Sequence, residues 1–215
     1  MDILNESFFR LPALEVARRL LGQTLSHQTK QGRISGRIVE AEAYIGEEDL
    51  ACHARAGRTA RTEFMYGPPG HAYIYLTYGM YWMLNVVVEP EEYPAAVLIR
   101  AIEPLEGEEL MLGNRLRGSS FHKLKRELDA DYLRKNLTNG PARLCLAYGI
   151  TGELGGANLM KSPLRIEPVP PILDSQTQTS KRIGIAYAGK WADQPWRFFI
   201  RDNPWVSKPK AQPLR

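Results

Sequence analysis

Only two cysteines, Cys52 and Cys145, occur among the 215 residues. Two cannot build a disulfide framework and do not have zinc-site spacing, so the sequence reads as a protein of a reducing compartment. Long hydrophobic runs are also missing. The longest apolar stretch, Tyr93 to Ile102, is broken by Pro94 and Arg100, far short of the roughly 20 residues that span a bilayer. The opening residues, Met1-Asp2-Ile3-Leu4-Asn5-Glu6, are acidic at once and have no basic stretch, which speaks against a secretory signal. Internal repeats and clusters of metal-ligating residues are absent as well. What is present is ordinary for a globular chain: 44% hydrophobic, 24% charged and a formal charge of +4. At roughly 150 residues per domain this is one large domain or two small ones. No linker divides it, so residues 1–208 are expected as a single domain and 209–215 as a flexible tail.

Charge is unevenly spread. Residues 40–53 hold five acids (Glu40, Glu42, Glu47, Glu48, Asp49) and no Lys or Arg, and residues 55–61 then bring Arg55, Arg58 and Arg61 without an acid. Residues 176–215 carry eight basic residues against Asp193 and Asp202. A carboxylate cluster flanked by basic segments suits a polyanion site, and equally a solvated surface.

Residues 11–22 read as a helix, with Pro12 in its first turn and Gly22 past its end. Residues 34–44 alternate as a strand in which Ile38, Glu40, Glu42 and Tyr44 share one face, and Val39, Ala41 and Ala43 the other. Residues 47–70 read as a long loop. Strands at 71–77 and 81–88 flank a turn at Tyr78-Gly79-Met80, and a third strand covers 95–102. Helices are expected at 106–117, 122–135 and 141–148, the last capped by Thr138 or Asn139 and stopped by Gly149. Residues 152–180 should be loop-rich, with strands at 182–188 and 196–201 and a frayed segment from Pro204.

Three features depart from ordinary patterning. Glu40 and Glu42 lie on one face of a strand that otherwise reads as core, and burying a carboxylate is costly unless it is paired or at work. Two neighbouring acids with Tyr44 beside them favour a raised pKa on one of them; a wet edge strand would explain them equally. The hairpin tip is Tyr-Gly-Met where water-facing turns prefer small polar residues. Core packing accounts for Tyr73, Tyr81 and Trp82 but not for Tyr78, an aromatic placed to wedge between stacked bases. Arg100 lies inside an apolar strand and needs a buried partner, for which Glu42 is the candidate.

The stretches Arg37–Tyr44, Gly70–Tyr81, Leu98–Pro104, Asn139-Gly140-Pro141, Pro195–Arg201 and Pro204–Ser207, together with His53 and Asn85, resemble the alkyladenine/3-methyladenine DNA glycosylase family in order along nearly the whole chain. With the elements above, the resemblance implies a mixed α/β (α+β) fold: a curved, largely antiparallel sheet with surrounding helices and a protruding β-hairpin. It implies a monofunctional glycosylase that flips damaged purines out of double-stranded DNA and hydrolyses the N-glycosidic bond, with no metal, cofactor or lysine Schiff base. Glu42 is then the general base that activates water, with Arg100 and the main-chain carbonyl of Ile183 holding that water. Tyr44 and His53 lie on one face of the extruded base and Tyr75 on the other. Tyr78 fills the gap in the duplex, and Asn85 excludes the guanine amine. Arg58, Arg61 and the helix start at Gly140 are candidate phosphate contacts. The implied protein is a DNA-associated intracellular monomer with no membrane partner, found in the bacterial cytoplasm or nucleoid, or in a nucleus.

Two other readings use the same residues. A retaining sugar glycosidase would employ Glu40 and Glu42 as its acid and nucleophile pair, but leaves the hairpin tip and the arginine loop unexplained. A non-catalytic minor-groove damage-binding protein explains the wedge but not an intact Glu42 and Arg100.

Overall fold

The computed structural model describes residues 4–118 and 130–208. Helix α1 (Glu6–Phe9) opens on Asn5, whose side chain accepts from the Phe8 amide. Helix α2 spans Ala13–Arg19 behind Pro12, with Glu15 in its first turn and Arg18 and Arg19 in its last, each at the end that favours its charge. Eight strands follow: β1 (Thr24–Thr29), β2 (Gly32–Ile45), β3 (Ala72–Thr77), β4 (Tyr81–Val87), β5 (Ala95–Glu106), β6 (Leu164–Glu167), β7 (Thr177–Ser180) and β8 (Arg197–Ile200). Helices α3 (Glu108–Arg117), α4 (Ala130–Lys135) and α5 (Pro141–Tyr148) lie between β5 and β6. The fold is mixed α/β, and every strand pairing is antiparallel. No described helix is long and apolar enough to cross a membrane.

The 14-residue β2 is the centre of the sheet. Strand β5 runs along one side of it. On the other, β1 pairs with its first half and β8 with Glu40–Glu42. Glu40 and Glu42 therefore lie between two strands, which excludes the wet-edge explanation. The uniform alternation expected over 34–44 fails at one point. The pairing with β5 shifts register on both sides of Glu40, a bulge that turns the chain over. Ile38 thus packs in the main core with Ala41 and Ala43 instead of facing out with Glu40 and Glu42.

Past the bulge, the period of two sorts side chains cleanly. Ile74, Leu84, Val86, Val97 and Ile99 enter the main core. Their neighbours Tyr73, Tyr75, Asn85, Leu98 and Arg100 line a cavity. The core also receives α2 through Ala13, Val16 and Ala17, the turn after it through Leu20 and Leu21, and α5 through Leu144, Cys145, Ala147 and Tyr148.

Several expectations are corrected. The segment expected as a strand over 182–188 is instead an irregular stretch leading into 3-10 turns at Ala186–Asp193, because Gly184 holds φ +81°, incompatible with a strand. Neither Thr138 nor Asn139 caps α5: the cap is Gly140, while the Thr138 hydroxyl donates to the Ile102 carbonyl. The C-terminal stop at Gly149, with φ +64°, is as expected. The polar strand β1 escaped the apolar pattern altogether. Residues 204–208 are not frayed: Trp205 packs on the core and Ser207 is buried. Most of the helix expected over 122–135 and the tail 209–215 lie outside the described residues.

Candidate active site

The β3–β4 hairpin carries one rim of the cavity. Thr77 and Tyr81 pair, and the Met80 amide donates to the Thr77 carbonyl at 3.0 Å across the turn. Tyr78 and Gly79 both adopt left-handed φ values, +51° and +67°. For a non-glycine residue this conformation costs about 1–2 kcal/mol, and Tyr78 is nevertheless 87% exposed. Met80 is exposed beside it. A strained, uncovered aromatic at the end of a well-paired hairpin contributes little to the core.

Behind that rim lies a cavity of about 270 Å³, near the small end for ligand sites. Tyr44, His53, Tyr75, Tyr78, Asn85, Arg100 and Ile183 all line it, so seven of the expected site residues do converge. The Asn85 amide donates to the Tyr73 carbonyl at 3.1 Å, which holds the side chain in one orientation at the cavity wall. The rings of His53 and Tyr75 meet edge-on, 4.4 Å between centroids. As they stand, these two rings leave no gap between them for a base.

His53 is a neutral wall. Burial, with Arg61 and Arg55 nearby, lowers its pKa to about 4. Its Nδ1 lies 2.8 Å from the Tyr73 hydroxyl, and its Nε2 faces an Arg61 N–H at 3.4 Å. Arg61 can only donate, so Nε2 is the acceptor and the proton belongs on Nδ1.

Glu42 is fully buried and does not itself reach the cavity surface. Its Oε1 accepts from the Ile183 main-chain N–H at 2.8 Å, and its Oε2 from the Tyr44 hydroxyl at 2.8 Å and Arg100 Nη1 at 3.2 Å. All three donors belong to residues that line the cavity. At Ile183 it is the N–H, not the carbonyl, that meets Glu42. Burial, together with the Glu42 charge, raises the Tyr44 hydroxyl pKa well above its ordinary range, which keeps that hydroxyl a donor.

Glu40 holds Arg100 in place. Arg100 Nε donates to Glu40 Oε1 at 2.9 Å, so one guanidinium bridges both carboxylates. Arg197 Nε adds 2.6 Å to the same oxygen, and the Ser207 amide and hydroxyl donate at 2.7 and 2.8 Å. Burial alone would raise the Glu40 pKa, but Arg100 and Arg197 outweigh it and hold the carboxyl below its usual range. The acid pair thus does not generate the raised pKa expected of it at Glu40. Two carboxylates face two guanidinium groups, and the cluster is neutral.

Arg197, Ser207 and the Asp49–Arg182 pair were not anticipated. Arg182 is fully buried, donates to both Asp49 oxygens, and stacks between Tyr44 and Trp196 at 4.7 and 4.9 Å. Arg197 had a usable signal, an arginine in an apolar strand like Arg100. Asp49 and Arg182 are 133 residues apart and give none.

The phosphate candidates differ in their commitments. Arg58 is paired with Glu63 and Glu92. The Arg61 guanidinium lies 5.4 Å from the Tyr75 ring centre, at the cavity. Gly140 spends its own N–H on the Thr138 carbonyl at 3.0 Å, while Pro141 after it touches the cavity.

Residues 7–204 match the family model described as methylpurine-DNA glycosylase. Three relatives bear the name "Putative 3-methyladenine DNA glycosylase". That of Methanocella arvoryzae is 48% identical over 97% of both chains. That of Myxococcus xanthus is 45% identical over 97% of this chain and 95% of its own, and that of Desulfitobacterium hafniense 44% over 96% and 99%.

Proposed function

The chain belongs to the methylpurine-DNA glycosylase family, and from that premise we propose that it extrudes damaged purines of the 3-methyladenine type from duplex DNA and hydrolyses their glycosidic bond with a Glu42-activated water. It is a DNA glycosylase, a hydrolase of N-glycosyl bonds. The observation that carries the finer reading is the buried Glu42 carboxylate, whose three hydrogen-bond donors all line one aromatic cavity.

A base inside a duplex cannot be attacked at C1′, so the nucleotide must leave the stack at a cost of a few kcal/mol. Tyr78, exposed at the hairpin tip, fills the gap. In the cavity the base stacks between Tyr44 and Tyr75, the latter braced edge-on by His53, recovering about 1–3 kcal/mol per stacked base. Aromatic faces also attract the cationic rings of alkylated purines, and a neutral His53 does not oppose them. Such purines are good leaving groups, so the protein has mainly to stabilise the oxocarbenium-like sugar and place a water. Water seated among Tyr44, Arg100 and Ile183 lies against Glu42, which takes its proton as the oxygen bonds to C1′ and the electrons of the C1′–N bond leave with the base.

The product of this hydrolysis is an abasic site on an intact strand. The protein acts as a monomer. The test is incubation with methylated duplex DNA followed by brief mild alkali, which cuts at abasic sites, read against an enzyme-free control for the purines that methylation alone releases. Strand breaks after alkali and none before support the reading. Breaks without alkali, or no breaks at all, refute it.

A further inference from the structure

We propose that Arg55 and Tyr187 form a second DNA-contacting rim, across the cavity mouth from the hairpin, that receives the sugar-phosphate backbone of the extruded nucleotide. The inference rests on the glycosylase reading above. Tyr187 lines the cavity yet is 63% exposed, so no packing explains an aromatic there. The Arg55 guanidinium stacks 5.2 Å from its ring centre. The other bond of Arg55 goes to the Leu50 carbonyl, and among the described residues no carboxylate pairs with it. Arg58, three residues on, is by contrast neutralised by Glu63 and Glu92. Arg55 therefore presents an uncompensated positive charge on an exposed aromatic platform, the pairing that suits a phosphate beside a deoxyribose.

This rim is firmly seated. Ile185 and Ala188, on either side of Tyr187, are buried with Ala51 against Tyr44 and Trp191, and Ile183 is bonded to Glu42. The hairpin contributes Tyr75, Thr77 and Tyr78 to the cavity lining; the segment after Arg182 contributes Ile183, Gly184, Ile185 and Tyr187. A base held in the cavity draws its deoxyribose and two phosphates to the mouth. Because Tyr78 occupies the vacated stack, the backbone has the opposite rim to rest on. The contact then forms only once the nucleotide has swung out, and it discriminates extruded from stacked DNA without reading the base.

The experiment compares wild type with Arg55→Ala and Tyr187→Ala in single-turnover excision of one alkylated purine in a defined duplex, with the undamaged duplex as competitor. Each variant should raise the half-saturating concentration for the lesion duplex about tenfold and change the competitor's affinity less than twofold, with thermal stability unchanged. Replacing phosphates near the lesion one at a time by neutral methylphosphonates should reveal one position that weakens wild type and has no further effect in Arg55→Ala. Equal losses on both duplexes, unchanged affinities, or methylphosphonate effects that add to Arg55→Ala at every position would overturn the proposal. Absence of excision by wild type would instead refute the glycosylase reading itself.

Discussion

Removing the Asp49 carboxylate should destabilise the protein and disable the site together. Arg182 then keeps only the Ala43 and Trp191 carbonyls as hydrogen-bond partners, at 2.9 and 3.1 Å, and the faces of Tyr44 and Trp196. Both ion-pair side chains are fully buried, so Asp49→Ala strands a charge away from water, a loss of about 3–5 kcal/mol. At about 2–4 °C per kcal/mol for a chain of this size, the melting temperature should fall by roughly 6–20 °C. Asp49 also accepts from the Ala51 amide at 3.0 Å, ahead of His53. Arg182 directly precedes Ile183, whose amide holds Glu42. The assay is calorimetry alongside single-turnover excision. The double variant Asp49→Leu/Arg182→Met leaves no stranded charge and should regain much of the stability, while excision stays impaired because Tyr44 and Ile183 have lost their common support. A melting shift below about 3 °C for Asp49→Ala, or full excision by the double variant, would refute the reasoning.

Tyr78→Ala should leave the melting temperature nearly unchanged, since the residue is 87% exposed; excision from duplex should fall much more than from a single strand, and equal losses would make Tyr78 a packing residue. Asn85→Ser should speed removal of guanine-type bases relative to hypoxanthine, because an amide pinned to the Tyr73 carbonyl cannot swing away from the 2-amino group; an identical change for both would remove Asn85 as the filter. His53 stays neutral in the fold with a pKa lowered to about 4 from 6.5, so below 6.5 the unfolded chain takes up a proton that the folded one refuses. Stability is therefore lost as pH falls from 6.5 toward 4. His53→Gln should flatten that slope in denaturant titrations, and an unaltered slope would place the titrating group elsewhere.

Much of this site could be read from residue order because its chemistry is local. Glu42 and Tyr44 follow strand alternation, Tyr78 sits where a turn must be, and Arg100 is conspicuous in an apolar strand. The misses have physical causes. A bulge at Glu40 adds one residue to a ladder, and alternation by itself cannot show on which side of Glu40 the chain turns over. The run Ile183-Gly184-Ile185-Ala186 has strand composition, yet Gly184 at φ +81° sends it into a turn that delivers the Ile183 amide to Glu42. Strand β1, Thr-Leu-Ser-His-Gln-Thr, carries a single large aliphatic residue and is recruited by its neighbours β2 and β6. The acidic cluster of residues 40–49 divides: Glu47 and Glu48 are exposed, whereas Glu40, Glu42 and Asp49 are buried against arginines from distant segments. Local charge counting shows that such carboxylates exist but not which cations reach them.

Glu42 is the centre of the proposed chemistry, and single-turnover excision by Glu42→Gln tests its role most directly. The amide preserves the side chain's shape while removing its ability to accept a proton from water. Affinity for the lesion duplex should stay within about threefold of wild type while the excision rate falls by about 10²–10⁴-fold. Excision within about tenfold of wild type would show that the carboxylate buried beneath this cavity is a structural anchor and that the activating base lies elsewhere.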